Sequence, residues 1–103
     1  MSGTIQSGTA QILTFNGPAL ALNYTNSQCL IITCTVHSVL ASYSESGLQS
    51  SQSRFRIHGN VPPATEGPMS LTIPFTTPSS GTIFFASEHI TDAANLMLWS
   101  LDA

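Results

Sequence analysis

The sequence contains no lysine and very few charged residues of any kind. Its 103 residues include two arginines and five acidic residues, so 7% of the side chains are charged and the formal net charge is -3. Roughly 25% of residues are charged in an average soluble domain. A protein that binds the phosphate backbone of a nucleic acid needs clustered basic side chains. The scarcity of positive charge therefore argues against nucleic acid as a partner.

Long apolar runs are also absent. The longest stretches, such as 29–32 and 96–99, are far shorter than the roughly 20 residues that span a bilayer. We therefore expect a soluble protein without membrane insertion. The N-terminal segment MSGTIQSGTA lacks the basic region and the apolar segment of a secretory signal, so the sequence predicts none.

Cysteine is scarce too, and its spacing argues against a disulfide. Cys29 and Cys34 lie five positions apart in CLIITC. In a strand they would point to opposite faces, about 16 Å apart at ~3.3 Å per residue. A disulfide needs Cα atoms within about 7 Å. We interpret Cys34 as a small core residue and leave Cys29 as a residue that could face a neighbouring subunit.

What the sequence does contain is typical of strands. Serine and threonine make up about a quarter of the chain, and β-branched and aromatic residues recur in short runs between turn-forming residues. The predicted strands are 9–15, 19–25, 29–41, 53–59, 69–76, 81–88 and 94–101. Turns are predicted at 16–18, 26–28, 60–68 and 77–81, and a long polar loop at 42–52. The sequence thus predicts one domain, 1–103, an all-β antiparallel β-sandwich of jelly-roll type with about seven to eight strands.

Two features of the strand patterns concern the surface. MSLTIPFT, 69–76, alternates apolar and polar residues, and Pro74 cannot donate to a strand ladder, so this strand is expected at an edge. In ANLMLWSL, 94–101, one face holds Leu96 and Leu98, and the other holds Met97, Trp99 and Leu101. IFF, 83–85, is apolar on both faces as well. Because a small sandwich buries one face of each sheet, we expect another copy of the chain to cover the second face.

The order of several segments resembles the second half of a tumour-necrosis-factor-like jelly roll of the bacterial type. The segments are CLIITCTVHSVL, SRFRIHGN, MSLTIPFTT, PSSGTIFFASEHI and ANLMLWSL, and the resemblance extends over about 70 residues from the first to the last. Some bacterial members of that class are trimeric lectins that bind fucosylated glycans between subunits. The resemblance therefore implies a jelly roll, a homotrimer and glycan partners, and no site residue is carried over from it.

Signatures of catalysis and metal binding are weak. There is no GxSxG elbow, and serine is so common that a Ser-His-Asp combination is expected by coincidence. Cys34 and His37 have C-x-x-H spacing, but in a strand they would point to opposite faces. Glu88, His89 and Asp92 in EHITD are interpreted as a solvated turn, because two carboxylates are too few for calcium. We expect a protein that is not an enzyme and has no metal or cofactor.

Both arginines fall in one short segment, SRFRIHGN, 53–60. In a strand Arg54, Arg56 and His58 share one face, and Asn60 continues the alternation. Three interpretations stay open for this arginine strip. It could bind a ligand, it could pair with Glu45, Glu88 or Asp92 of a neighbouring subunit, or it could be a plain charged surface that protects a sheet edge.

Carbohydrate binding is the function that this strip favours. The guanidinium group is a planar fork with fixed donor geometry, which suits vicinal sugar hydroxyls. Tyr43, Trp99 and Tyr24 are candidates for the aromatic surface that a sugar ring packs on. The sequence thus predicts a lectin that is multivalent through homo-oligomerisation, with a trimer favoured and with Arg54, Arg56, His58, Asn60, Tyr43 and Trp99 as ligand-binding residues. The alternative is a structural or trimerisation module of a virion, a fibre or another assembly.

Overall fold

A computed structural model describes residues 2–15, 19–59, 69–88 and 94–103, and every long element in them is a strand. The strands are β1 Ser2–Thr4, β2 Gln11–Phe15, β3 Leu20–Val36, β4 Val39–Ser42, β5 Phe55–Ile57, β6 Met69–Ser87 and β7 Ala94–Asp102. A short 3-10 helix, Ser46–Gln49, lies between β4 and β5. The predicted all-β class is confirmed. In the described residues no helix is long and apolar enough to cross a membrane.

The strands form antiparallel pairs that are nested along the chain. β2 pairs with β7, β3 with β6, and β4 with β5, while the short β1 runs parallel to β3. The neighbour order is β2-β7-β3-β6-β4-β5. This nesting of an outer, a middle and an inner pair is the wrapping of a jelly roll, so the predicted fold type is confirmed.

Two long strands take part in both layers of the sandwich. The first half of β3 pairs with the second half of β6, from Leu20 opposite Phe85 to Tyr24 opposite Gly81. The second half of β3 pairs with the first half of β6, from Cys29 opposite Pro74 to Cys34 opposite Met69. We call the layer of β1, β4, β5 and the first pair of halves sheet I. Sheet II contains β2, β7 and the second pair of halves.

The bend between the two layers is built from residues that the sequence marks as turn formers. The register shifts between Tyr24 and Ser27, and Asn26 takes a left-handed conformation with φ 49°. Asparagine adopts this conformation more readily than other non-glycine residues. The Asn26 N–H donates to the Ser80 hydroxyl of the neighbouring strand at 2.8 Å. The Tyr24 ring lies over Gly81 and stacks on Phe75 with a centroid distance of 5.3 Å.

The predicted turns at 26–28 and 77–81 are therefore bends inside continuous strands. Strand pairing continues through both segments, since Ser27 pairs with Ser79. The predicted strand 29–41 is divided instead, because His37 adopts φ 60° and the chain turns from β3 into β4. The predicted strand 53–59 is shortened to β5. The turns predicted at 16–18 and 60–68 lie outside the described residues.

One core fills the space between the sheets. Sheet I contributes Leu20, Leu22, Ile83, Phe85, Val39 and Ile57, and sheet II contributes Leu30, Ile32, Cys34, Leu96 and Leu98. These side chains alternate with outward residues along their strands, as a period of two requires. Cys34 is fully buried and both cysteines are free thiols, as predicted. Among the described strands the first half of β6 pairs on one side only, so Pro74 lies on an edge strand as predicted.

The outer face of sheet II is apolar and exposed. Ile12, Met97 and Leu101 have 73%, 37% and 46% of their surface exposed. Trp99 is partly exposed and lies on the same face of β7 as Met97 and Leu101. β7 pairs with β2, which carries Ile12, and with β3. We call these four residues the outer apolar face. Its position confirms that one side of the segment 94–101 packs in the core and the other does not.

The left-handed conformation of Asn26 gives a test of the bend. Asn26→Val should lower the free energy of unfolding by about 1–2 kcal/mol, because a β-branched side chain is strained at positive φ, whereas Asn26→Gly should change it little. Urea unfolding of both variants measures this. The control is Thr25→Val, a β-branched substitution at the exposed neighbouring position. Equal stabilities of the glycine and valine variants would contradict this account of the bend.

Candidate functional site

The arginine strip lies at the edge of sheet I on β5 and the residue before it. Arg54 and Arg56 are exposed, whereas Phe55 is partly buried and Ile57 is 2% exposed in the core. β5 pairs only with β4 among the described strands, with Arg56 opposite Leu40. The predicted alternation is therefore confirmed for residues 54–57, and the side chains of Arg54 and Arg56 face outward.

Arg56 forms an ion pair with Glu88 of its own chain. The Arg56 Nε atom lies 2.8 Å from Glu88 Oε2, and the two side chains are 51% and 28% exposed. This oxygen is buried and has no partner with hydrogen-bond geometry, so the contact is an ion pair in which the N–H is not aimed at the oxygen. A pair this exposed contributes about 0–1 kcal/mol to stability. It places the Arg56 guanidinium beside the Glu88 carboxylate.

Glu88 is brought to Arg56 by the sheet. β6 ends at Ser87, opposite Val39 of β4, and the Glu88 N–H then donates to the Ser38 carbonyl at 3.0 Å. Because β4 lies between β6 and β5, the end of β6 reaches the arginine strip across one strand. Glu88 was one of three carboxylates considered as a partner in a neighbouring subunit. The structure shows that this pairing occurs within one chain.

Arg54 is held by the loop between β4 and β5. Its Nη1 atom donates to the Leu48 carbonyl at 3.1 Å, and its backbone N–H donates to the Ser50 carbonyl. Leu48 is buried, with 3% of its surface exposed. The Ser42 hydroxyl donates to the Ser53 carbonyl across the base of the loop. The predicted loop 42–52 is therefore tied to the sandwich at several points.

Together these groups line a surface cleft of about 370 Å³. Its lining residues are Leu40, Ser51, Arg54, Phe55, Arg56 and Glu88. We call this the arginine cleft. It combines fixed guanidinium donors, a carboxylate acceptor and a hydroxyl with an aliphatic and an aromatic side chain. These groups suit a small polar ligand that has one apolar side.

The other predicted site residues lie at different distances from the cleft. Tyr43 is close, because its ring packs against Phe55 at a centroid distance of 6.2 Å. His58 is outside the lining, and its Nδ1 atom lies 3.1 Å from the buried Ser38 hydroxyl. Trp99 belongs to the outer apolar face of sheet II, so it is not brought to the cleft. Asn60 lies outside the described residues.

Tyr24 is also unsuited to contact a ligand. Only 7% of its surface is exposed, and its ring is occupied by the stack on Phe75. Burial raises the pKa of the Tyr24 hydroxyl above 10.0. Burial and, to a smaller extent, Tyr24 raise the pKa of Tyr43 as well, so the Tyr43 hydroxyl stays protonated and can donate a hydrogen bond at neutral pH.

Several members of the cleft were not predicted. Ser51, Leu40 and Phe55 lie in a predicted loop or on predicted strands that have no assigned role. The sequence predicts Glu88 in a solvated turn with His89 and Asp92, which lie outside the described residues, or as the partner of an arginine in a neighbouring subunit. Only the pairing order β6-β4-β5 places Glu88 near Arg56. The sequence carries no local signal of that order.

Comparison with known proteins supports the fold alone. The sequence matches no protein-family model and no curated protein. Among solved structures, the chain is similar to the pre-peptidase C-terminal domain of collagenase from Bacillus anthracis, with a TM-score of 0.58 and 9% sequence identity. The match covers 97% of this chain and 94% of that chain. The resemblance to tumour-necrosis-factor-like lectins stays a prediction.

The described residues offer neither a metal-binding cluster nor a reactive buried thiol. In the part of the chain that the structure describes, no three His, Cys, Asp or Glu side chains lie close enough to hold a metal ion. The Cys34 thiol lies in the core, where it donates to the His37 carbonyl at 2.7 Å. Burial raises the pKa of Cys34 from 9.0 to about 11. Since the thiolate is the reactive form, Cys34 is inert near neutral pH.

The two thiols should therefore differ in reactivity. Treatment of the native protein with a thiol reagent at about pH 8 should modify Cys29, which is partly exposed, and leave Cys34 unmodified until the protein is unfolded. Mass spectrometry of the digested protein measures the modification at each site. In the matched variant Cys29→Ser, the native protein should not react. Rapid modification of Cys34 in that variant would show that the core is open.

Proposed function

We propose that this protein is a non-catalytic carbohydrate-binding protein and that the arginine cleft is its binding site. The observation that carries the proposal is the convergence of both arginines of the chain, the Glu88 carboxylate and an aromatic ring on one small cleft. A chain with so few charges uses both of its cations here. Solubility alone would favour charges spread over the surface.

The arginines are held in place before any ligand binds. Arg54 is fixed through the Leu48 carbonyl and Arg56 through Glu88, and each contact uses only part of the donor set of a guanidinium group. The remaining N–H groups of each fork are available to ligand oxygens. Groups that are already ordered lose less conformational entropy on binding, so preorganisation raises affinity.

A sugar ring fits the distribution of groups in the cleft. Vicinal hydroxyls can accept hydrogen bonds from the arginines, and a further hydroxyl can donate to Glu88 or exchange a hydrogen bond with Ser51. The apolar side of the ring can pack on Leu40 and Phe55. At about 370 Å³ the cleft is at the small end of ligand sites, which span roughly 300–1,000 Å³. A single site of this size is expected to bind weakly.

We further propose that self-association through the outer apolar face makes the protein multivalent, with a trimer as the favoured state. The face is part of sheet II, whereas the arginine cleft is part of sheet I, so copies that meet through the face leave the cleft open. Linked weak sites bind a multivalent glycan far more tightly than one site does. In this arrangement each site is complete within one chain and does not lie at the subunit seam.

The same face favours a structural module as the second candidate function. Ile12, with 73% of its surface exposed, and its neighbours Met97 and Leu101 form an apolar surface of the kind that associates with other proteins. In a purely structural module the arginines would only protect the edge of sheet I.

Glycan binding should depend on the geometry of Arg56. On a glycan array the wild-type protein should give a sugar-specific signal, and Arg56→Ala should lose it because the fork that orients the hydroxyls is gone. Arg56→Lys keeps the charge but lacks the planar fork, so it should also lose at least about tenfold in affinity. Thr9→Ala, an exposed substitution far from the cleft in sequence, is the control. A wild-type protein that binds no glycan would favour the structural module.

Self-association should depend on the outer apolar face. Light scattering at micromolar concentration should give an oligomer of the 10.9 kDa chain, and Met97→Glu should give the monomer because a charge at the centre of an apolar interface is costly. Gln52→Glu adds the same charge on an exposed loop and should leave the oligomer intact. A monomeric wild-type protein would contradict this part of the proposal.

A further inference from the structure

We propose that the ligand of the arginine cleft carries a carboxylate, so that the glycan is an acidic one, and that Arg54 binds this carboxylate. The inference rests on the proposed function and narrows it from carbohydrates in general to sugars with a carboxyl group. It comes from the charge balance of the cleft and from the different surroundings of the two arginines.

The lining of the cleft has an excess of positive charge. Among the described residues of the lining, Arg54 and Arg56 contribute two positive charges and Glu88 one negative charge, which leaves one positive charge in excess. The chain as a whole has the opposite sign, with a formal net charge of -3. One carboxylate on the ligand would neutralise the cleft.

Arg54 is the arginine that supplies this excess charge. Of the carboxylates of Glu45, Glu88 and Asp102, which the structure describes, only Glu88 forms an ion pair with an arginine, and its partner is Arg56. The Arg54 guanidinium contacts a neutral group instead, the Leu48 carbonyl. That contact fixes its orientation and leaves its charge without a counter-charge in the described residues. A planar carboxylate matches the remaining edge of the fork and can accept two parallel hydrogen bonds.

Glu88 restricts the position that a negative charge on the ligand can take in the cleft. A carboxylate next to Arg56 would be close to Glu88 and would be repelled by it, so the acidic group is directed to the Arg54 end. The negative charge of the whole chain also disfavours polymers with dense negative charge at long range. We therefore expect recognition of a single carboxylate on a sugar and weak binding of highly sulfated polysaccharides.

The test compares an acidic oligosaccharide with its carboxyl-reduced form, in which each carboxylate is replaced by a hydroxymethyl group. The oligosaccharides are taken from the acidic glycans that bind on the array, and calorimetry measures each pair with the wild-type protein and with Arg54→Gln. The wild-type protein should bind the acidic form at least about tenfold more tightly, the size of one charge-assisted hydrogen bond. Arg54→Gln should lose this preference, so that it binds the acidic and the reduced forms with equal affinity. A sulfated polysaccharide should bind weakly to both.

A second variant separates charge from loop structure. Arg54→Gln removes the contact with Leu48 as well as the charge, whereas Arg54→Lys keeps a cation and should retain part of the preference for the acidic form. Thermal unfolding of both variants checks that the loop and the sandwich are intact.

Two results would overturn the inference while leaving the proposed function standing. One is equal affinity of the wild-type protein for the acidic and reduced forms. The other is an equal loss of affinity for both forms in Arg54→Gln, which would leave the preference for the acidic form unchanged. Tighter binding of the sulfated polysaccharide than of the acidic sugar would overturn it too. Absence of any glycan binding by the wild-type protein would instead overturn the proposed function, and the inference with it.

Discussion

The pairing of β3 with β6 over both of their halves is the constraint on which the rest of this structure depends. Each strand starts in one sheet and ends in the other, so the two layers are joined by continuous backbone through the bend at Asn26. The apolar residues of both halves face the same interior and produce a single core in a chain of 103 residues. A small domain buries a limited fraction of its surface, and here the inner faces of both sheets are buried against each other in the same core. The outer apolar face is apolar surface that this core leaves exposed.

The position of the candidate site follows from the same pairing. Because the second half of β6 lies between β3 and β4, its end at Ser87 places Glu88 one strand away from β5. Arg56 therefore forms its ion pair with a carboxylate of the same chain. Arg54 donates a hydrogen bond to the loop that joins β4 to β5. One guanidinium group thus contacts a backbone carbonyl and the other a side-chain carboxylate, and the fold positions both partners. This is the difference between a charged sheet edge and a cleft that can select a ligand by geometry.

Patterns within single strands predicted much of the fold, whereas features that depend on pairing were missed. Alternation correctly assigned Phe55 and Ile57 to the interior and Arg54 and Arg56 to the surface, since that choice is local. Turn chemistry at Asn26 and near Gly81 was read as chain reversal, because a bend and a turn use the same residues and only the neighbouring strand decides between them. The pairing of Arg56 with Glu88 is expected between subunits but occurs within one chain, because only the strand order brings these distant parts of the sequence together. Trp99 was grouped with the arginines although it belongs to the other sheet.

The proposed ligand surface is the arginine cleft and not the outer apolar face. The most direct measurement is a titration of the isotope-labelled protein with a glycan that binds on the array, followed by two-dimensional nuclear magnetic resonance of backbone and arginine side-chain signals. If the ligand binds in the arginine cleft, the signals of Trp99 and Leu101 should be unchanged, and the largest shifts should fall on the cleft residues Ser51, Arg54, Phe55, Arg56 and Glu88. Shifts centred on Trp99 and Leu101, with the arginine signals unmoved, would contradict it.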